Sequence, residues 1–86
     1  MRVRLDSGED GEAMKLESNV LTLRIPRAFA PGSPIRFVAL LDADERSFEG
    51  RTLGSKRVEE GSFEVRLRFV NLRKAERELL MDRLGC

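Results

Sequence analysis

The chain has 86 residues, with 16 Lys and Arg against 15 Asp and Glu, so its formal net charge is +1. This length fits one domain, residues 1–86, and the balanced charge argues against a nucleic-acid polymer as ligand, because such proteins carry a clear basic excess. The chain has no His and a single Cys, Cys86. These counts exclude structural zinc, Cys–His catalysis and a Ser–His–Asp triad, and neither a metal nor a cofactor is expected.

The sequence also predicts a cytoplasmic protein. It has no run of about 20 apolar residues that would span a bilayer, and residues 1–11 are charged and contain Gly, unlike a signal peptide. A lone Cys cannot form a disulfide within the chain, which suits a reducing compartment. We expect Cys86 to be a free thiol.

Alternating apolar and polar residues predict six strands, at residues 1–5, 12–19, 20–25, 34–41, 48–58 and 62–70. The connections are rich in turn-forming residues: DSGEDG at 6–11, PRAFAPGSP at 26–34, DADERS at 42–47 and EEG at 59–61. Gly50 and Gly54 interrupt the fifth strand and indicate a bulge or a tight bend of a closing barrel. Evenly spaced strands of this kind predict an all-β barrel of about six antiparallel strands.

The inward faces of the strands are expected to form one core. They carry Val3, Leu5, Met14, Leu16, Leu21, Leu23, Ile25, Ile35, Phe37, Ala39, Leu41, Phe63, Val65, Leu67 and Phe69. Residues 34–41 are unusual because Val38 and Leu40 make the outward face apolar as well. A strand that is apolar on both faces is usually covered on its outer side, and we expect the C-terminal helix to be that cover.

A C-terminal α-helix is predicted at residues 72–84, with Asn71 as its cap and Gly85 as its stop. At 100° per residue, Leu72, Ala75 and Leu79 form one apolar stripe, which we expect to seal the barrel. Leu80, Met81 and Leu84 form a second stripe, rotated away from the first. Either this second stripe curls over the barrel rim, or it binds a protein partner or a second copy of the chain.

The order of elements resembles the PilZ domain of bacteria, most closely over residues 20–84. The segment VLTLRIPRAFAPGSPIRF resembles the family's strand, Pro–Gly loop and strand, FEGRTL resembles its next strand, and GSFEVRLRFVNLRKAERELLMDRL its last strand and helix. The resemblance implies a barrel with a C-terminal helix. It also implies a role in cyclic di-GMP signalling, in motility, type IV pilus function or surface attachment.

The two motifs by which PilZ domains bind cyclic di-GMP are incomplete. Arg-x-x-x-Arg is absent, because Asp6 lies four residues after Arg2 and Gly8 four after Arg4. Asp/Asn-x-Ser-x-x-Gly is absent as well: with Ser18 as the motif serine, the glycine position holds Leu21. The resemblance therefore implies a degenerate, non-catalytic member that acts by protein–protein contact. The alternative is a cyclic di-GMP receptor that uses Arg2, Arg4, Ser18 and Asn19.

Other chemistry has weaker support in the sequence. The paired carboxylates all lie in predicted turns, where acids are normally solvated, so catalysis is not expected. Arg2, Arg4, Arg66 and Arg68 would form one basic patch if the first and last strands were neighbours; otherwise they are solvated, and in part paired with Glu64 or Glu17. A small RNA-associated barrel is a third hypothesis, disfavoured by the near-neutral charge and the lack of surface aromatic residues.

Overall fold

The computed structural model describes residues 1–41 and 44–84 and confirms a closed barrel of six antiparallel strands with one C-terminal helix. The elements are β1 (Arg2–Leu5), β2 (Asp10–Glu17), β3 (Val20–Ile25), β4 (Pro34–Leu41), β5 (Asp44–Glu59), β6 (Ser62–Phe69) and α1 (Lys74–Leu84). The order of strands around the barrel is β1-β2-β3-β6-β5-β4, and β4 pairs with β1 to close it. The prediction that Cys86 is a free thiol and the prediction that Gly85 ends the helix both concern residues outside the described part of the chain.

The core fills the barrel with the inward residues of all six strands. Phe37, Phe48 and Phe69 form an aromatic cluster, with ring centroids 5.6–6.4 Å apart. Leu67 is fully buried in the same core. The predicted burial of Phe37, Leu67 and Phe69 is confirmed.

The β4–β5 connection is shorter than predicted. Residues 44–47 were expected in a polar turn, but they continue β5 and pair with β4, from Leu41↔Asp44 to Val38↔Ser47. Their side chains are exposed, so the polar sequence is that of a solvated strand end. Residues 42 and 43 of the predicted turn lie outside the described residues.

A bulge in β2 changes which of its residues face the core. The register between β2 and β3 shifts between Ala13 and Lys15. Ala13 and Leu16 are therefore buried, while Met14 is 45% exposed. The prediction that Met14 and Leu16 share the inner face is wrong, because one extra residue reverses the alternation of the strand.

Gly50 and Gly54 confirm the predicted irregularity of β5 in different ways. A Cβ at Gly50 would lie 2.6 Å from Leu67 Cδ1, so only glycine lets β5 and β6 approach this closely. Gly54 follows a register shift between Thr52 and Gly54, which marks a bulge.

The helix begins two residues later than predicted. Asn71 has a left-handed backbone, with φ of 58°, and lies before the helix rather than at its cap. The backbone N–H of Arg73 donates to Glu76 Oε1 at 3.3 Å. This bond is one half of a capping box that starts α1 at Lys74.

Residues of both predicted stripes seal the barrel. Leu80 is fully buried in the core, whereas Ala75 is exposed and Leu72 and Leu79 are only partly buried. The helix packs mainly against β2, and the Arg77 guanidinium donates to the Ser18 carbonyl oxygen at 3.2 Å. The predicted sealing stripe is therefore right for Leu72 and Leu79, which pack against the core, and wrong for Ala75, while Leu80 of the second stripe is the residue that the core buries fully.

Candidate functional site

Ser18 and Asn19, two of the expected ligand residues, form the β2–β3 turn and are engaged by their own chain. Asn19 Nδ2 donates to the Phe69 carbonyl oxygen at 3.4 Å, and the Phe69 N–H donates to the Asn19 carbonyl oxygen at 3.3 Å. Ser18 has φ of 56°, as the tight turn requires. The turn thus joins β3 to the end of β6 and gives both residues a structural role.

Arg2 and Arg4, the other two expected ligand residues, project from β1 and share one carboxylate. Asp10 lies 3.2 Å from Arg4 and 4.0 Å from Arg2. Arg2 is paired with Glu12 in the sheet, so six residues of β2, about 20 Å of strand, separate its level from Ser18. The structure does not bring the four residues together.

Arg2 and Arg4 also do not form one basic patch with Arg66 and Arg68, which the sequence had left open. β1 lies between β2 and β4, whereas β6 lies between β3 and β5. The two pairs of arginines therefore project from opposite sides of the barrel. The expected acidic partners bind other cations: Glu17 lies 3.2 Å from Lys15, and Glu64 lies 3.9 Å from Arg24.

The partner stripe predicted on the helix is only partly at the surface. Leu80 is 0% exposed and belongs to the core, so its assignment to a partner-binding surface is wrong for this structure. Met81 and Leu84 are partly buried and pack against the core. Met81 borders a shallow depression of about 470 Å³ among charged helix residues.

A larger groove, of about 610 Å³, lies outside the barrel between the β4–β5 face and the segment that connects β6 to the helix. Val38 and Ser47 lie on the strand side, and Val70 and Leu72 on the segment side. The Val70 N–H donates to the Glu49 carbonyl oxygen at 2.9 Å, which holds the segment against β5. We call Val38, Val70 and Leu72 the groove residues.

The groove is the outer face of β4 that the sequence marked as needing a cover. The helix was expected to cover it, but α1 packs mainly against β2, and among its residues only Glu76 lines the groove. Val38 and Leu40 are half-buried, and Val70 is 37% exposed. An apolar surface thus remains open on the outside of the barrel.

Charged side chains border this apolar surface. Arg36 Nε lies 3.4 Å from Glu49 Oε2. On the other side, strand pairing sets Arg2 opposite Leu40 and Arg4 opposite Val38. An apolar centre with a charged, exposed rim is the usual composition of a protein–protein interface.

The β1–β2 turn contains a carboxylate with a perturbed pKa, that of the partly exposed Glu9. The Ser7 hydroxyl hydrogen-bonds to Glu9 and lowers the pKa of that carboxyl, and Arg27, 3.9 Å away, acts in the same direction. Within residues 1–41 and 44–84, no cluster of three His, Cys, Asp or Glu side chains is placed to hold a metal ion. The one helix in the same part of the chain is too short and too polar to cross a membrane.

Comparison of the chain with family models, curated proteins and solved structures finds no match. The assignment of the groove as a candidate site therefore depends on its geometry and on one sequence pattern, the apolar residues on both faces of β4. Val70 was predicted in the last strand and Leu72 in the sealing stripe of the helix, whereas both lie in the segment between β6 and α1. Their position in the groove depends on how the segment after β6 packs against β5, which the hydrogen bond from Val70 to Glu49 fixes.

Proposed function

We propose that this chain is a non-catalytic, PilZ-like regulatory or adaptor domain that acts in the cytoplasm by binding a protein partner. The resemblance of its elements to PilZ domains supports a role in bacterial motility, pilus or surface-attachment signalling. The observation that carries the proposal is the open groove beside the outer face of β4, where the aliphatic side chains of Val38, Val70 and Leu72 lie among polar and charged ones. Exposed apolar surface costs solubility, and it is commonly retained where a partner covers it.

The composition of the groove favours a protein over a small polar ligand. Val38, Val70 and Leu72 supply aliphatic surface for packing. Arg36, which lines the groove, is already paired with Glu49. A phosphate-bearing ligand would need free arginine forks, whereas a protein helix or loop would gain from aliphatic contact with a charged rim.

The geometry weakens the alternative of a cyclic di-GMP receptor. Arg2 and Arg4 are bound to Asp10, and Ser18 and Asn19 lie about 20 Å along the barrel from them. A dinucleotide would have to displace Asp10 and would still reach only one of the two pairs.

Val38→Asp tests the proposal. The side chain points outward and is half-buried, so the variant is expected to fold while losing the partner, because a carboxylate in the groove must be desolvated on binding. Met14→Asp is the matched control, since Met14 is an exposed apolar residue on β2. The measurement is affinity capture from the source cell, with quantitative mass spectrometry and circular dichroism melts of all forms.

A protein recovered with the wild type and Met14→Asp, and lost with a folded Val38→Asp, supports the proposal. Recovery of the same proteins in equal amount by all three forms would show that the groove binds none of them.

A further inference from the structure

The outer face formed by β6 and β5 carries four exposed cations: Arg51, Lys56, Arg66 and Arg68. Strand pairing places them together. Arg68 is opposite Arg51, Arg66 is opposite Gly54, and Lys56 lies two residues beyond Gly54 on β5. We call these four residues the basic face.

The chain itself offsets the charge of the basic face only in part, since Glu64 lies opposite Lys56 in the strand pairing. Within residues 1–41 and 44–84, none of its four residues forms an ion pair with a carboxylate. Arg51 donates to the Gly32 carbonyl oxygen at 3.3 Å, a neutral acceptor. Glu64, the acid nearest in the strand pairing, lies 3.9 Å from Arg24 on the neighbouring strand β3.

Two features of the basic face oppose stability and favour binding. Arg51 and Arg68 are direct cross-strand neighbours, and like charges in that position are destabilising. At the β5 bulge, Gly54 has no side chain, and a depression of about 270 Å³ opens between Lys56 and Arg66, with Glu64 as the one acid that lines it. The face therefore offers closely spaced donors beside a recess.

We propose that the basic face binds an extended acidic segment of a protein, with Asp or Glu at alternate positions. Arg66 and Arg68 are two residues apart on one strand, so their stems are about 7 Å apart. Carboxylates at alternate positions of an extended segment have the same spacing. The guanidinium forks match carboxylates in bidentate geometry.

The same surface is less suited to a nucleic acid. Single strands are held by bases stacked on exposed aromatic rings, but Phe37, Phe48 and Phe69 are in the core, and Phe63 packs against it. The Phe29 ring is covered by the Arg27 guanidinium, 4.5 Å from its centroid. The net charge of +1 supplies no broad positive field.

This surface adjoins the groove, because Arg51 lies two residues from Glu49 on β5 and Arg68 two residues from Val70. The four residues of the basic face are nevertheless distinct from those that line the groove. The binding of an acidic segment can therefore be tested independently of the proposed function. A chain that used both surfaces would join two partners.

The test is fluorescence anisotropy with a labelled peptide of about twelve residues that alternates Glu and Ser. A single-stranded DNA oligomer of the same length is the comparison probe. Both are titrated at about 50 mM and about 300 mM NaCl. The variant is Arg66→Gln/Arg68→Gln, and the matched control is Arg2→Gln/Arg4→Gln, which removes two equally exposed arginines from β1.

We expect the peptide to bind the wild type at low salt, and the Arg66/Arg68 variant to bind it at least about tenfold more weakly. The Arg2/Arg4 control should change the affinity by less than about twofold. Equal losses in both variants, no binding below about 1 mM at low salt, or tighter binding of DNA would each overturn the proposal.

Arg51→Glu is a second test that does not depend on loss of folding. It replaces the Arg51–Arg68 repulsion with an attractive pair, so it should raise the Tm by about 1–5 °C while peptide binding is lost. Unchanged peptide affinity in this variant would contradict the proposed site.

Discussion

Phe69 contacts both other members of the aromatic cluster, with ring centroids 5.6 Å from Phe48 and 6.4 Å from Phe37. Phe69→Ala would leave a cavity where β6 meets β5, and we expect it to lower the free energy of unfolding by about 3–5 kcal/mol. Small domains have about 5–15 kcal/mol in total, so the variant should melt far below the wild type.

A circular dichroism melt measures this effect. Phe29→Ala is the control, because Phe29 is only partly buried, in the β3–β4 loop. A Phe69→Ala protein as stable as the wild type would contradict the assignment of Phe69 to the core.

At the scale of elements, the helix is attached to the barrel through Leu80. Leu80→Ala should lower the free energy of unfolding by about 2–5 kcal/mol, because the side chain is fully buried. Met81→Ala, one residue along the same helix, should cost less, since Met81 is only partly buried. Urea unfolding of the two variants compares them directly, and equal losses would show that α1 does not dock through Leu80.

The strands were predictable where the alternation was regular. In β6, Val65, Leu67 and Phe69 are buried and Arg66 and Arg68 exposed, as predicted. In β2 the prediction was right from Lys15 to Glu17 but wrong at Ala13 and Met14, because a bulge adds one residue and exchanges the two faces on its N-terminal side. Nothing in the sequence of β2 marks that position, since no Gly or Pro is present at the bulge.

The helix shows a second limit of periodicity. Its apolar residues lie around much of the helix circumference, so either of two stripes could face the barrel. Helix propensity does not distinguish between them. In the structure, Leu80 is buried in the core of the barrel and Ala75 is exposed to solvent. The N-terminal boundary failed at Asn71 because an isolated Asn serves equally as a cap or as a left-handed residue before the helix.

At the scale of the whole molecule, strand order decided which candidate residues meet. The apolar outer face of β4 was visible in the sequence, but its position beside β1 and beneath residues 70–73 follows from the topology. Strand neighbours cannot be inferred from alternation, so the sequence left open whether Arg2, Arg4, Arg66 and Arg68 form a joint patch, and the topology excludes it because β1 and β6 are not neighbours.

The same separation predicts weak binding of cyclic di-GMP. Because Arg2 and Arg4 share Asp10 and lie far from Ser18 and Asn19, we expect no Kd tighter than about 100 μM, equivalent to about −5.5 kcal/mol. Isothermal titration calorimetry measures this directly. A micromolar heat signature that disappears in Arg4→Ala would restore the receptor hypothesis.

The central claim is that the groove on the outer face of β4 binds a protein. Its most direct test is methyl NMR of the isotope-labelled chain, titrated with the protein captured by the wild type and Met14→Asp. We predict shift changes or broadening at the methyl groups of Val38, Val70 and Leu72, with Leu53 and Met14 unaffected. Changes confined to Met81 and Leu84, or to methyl groups outside the groove, would contradict the account.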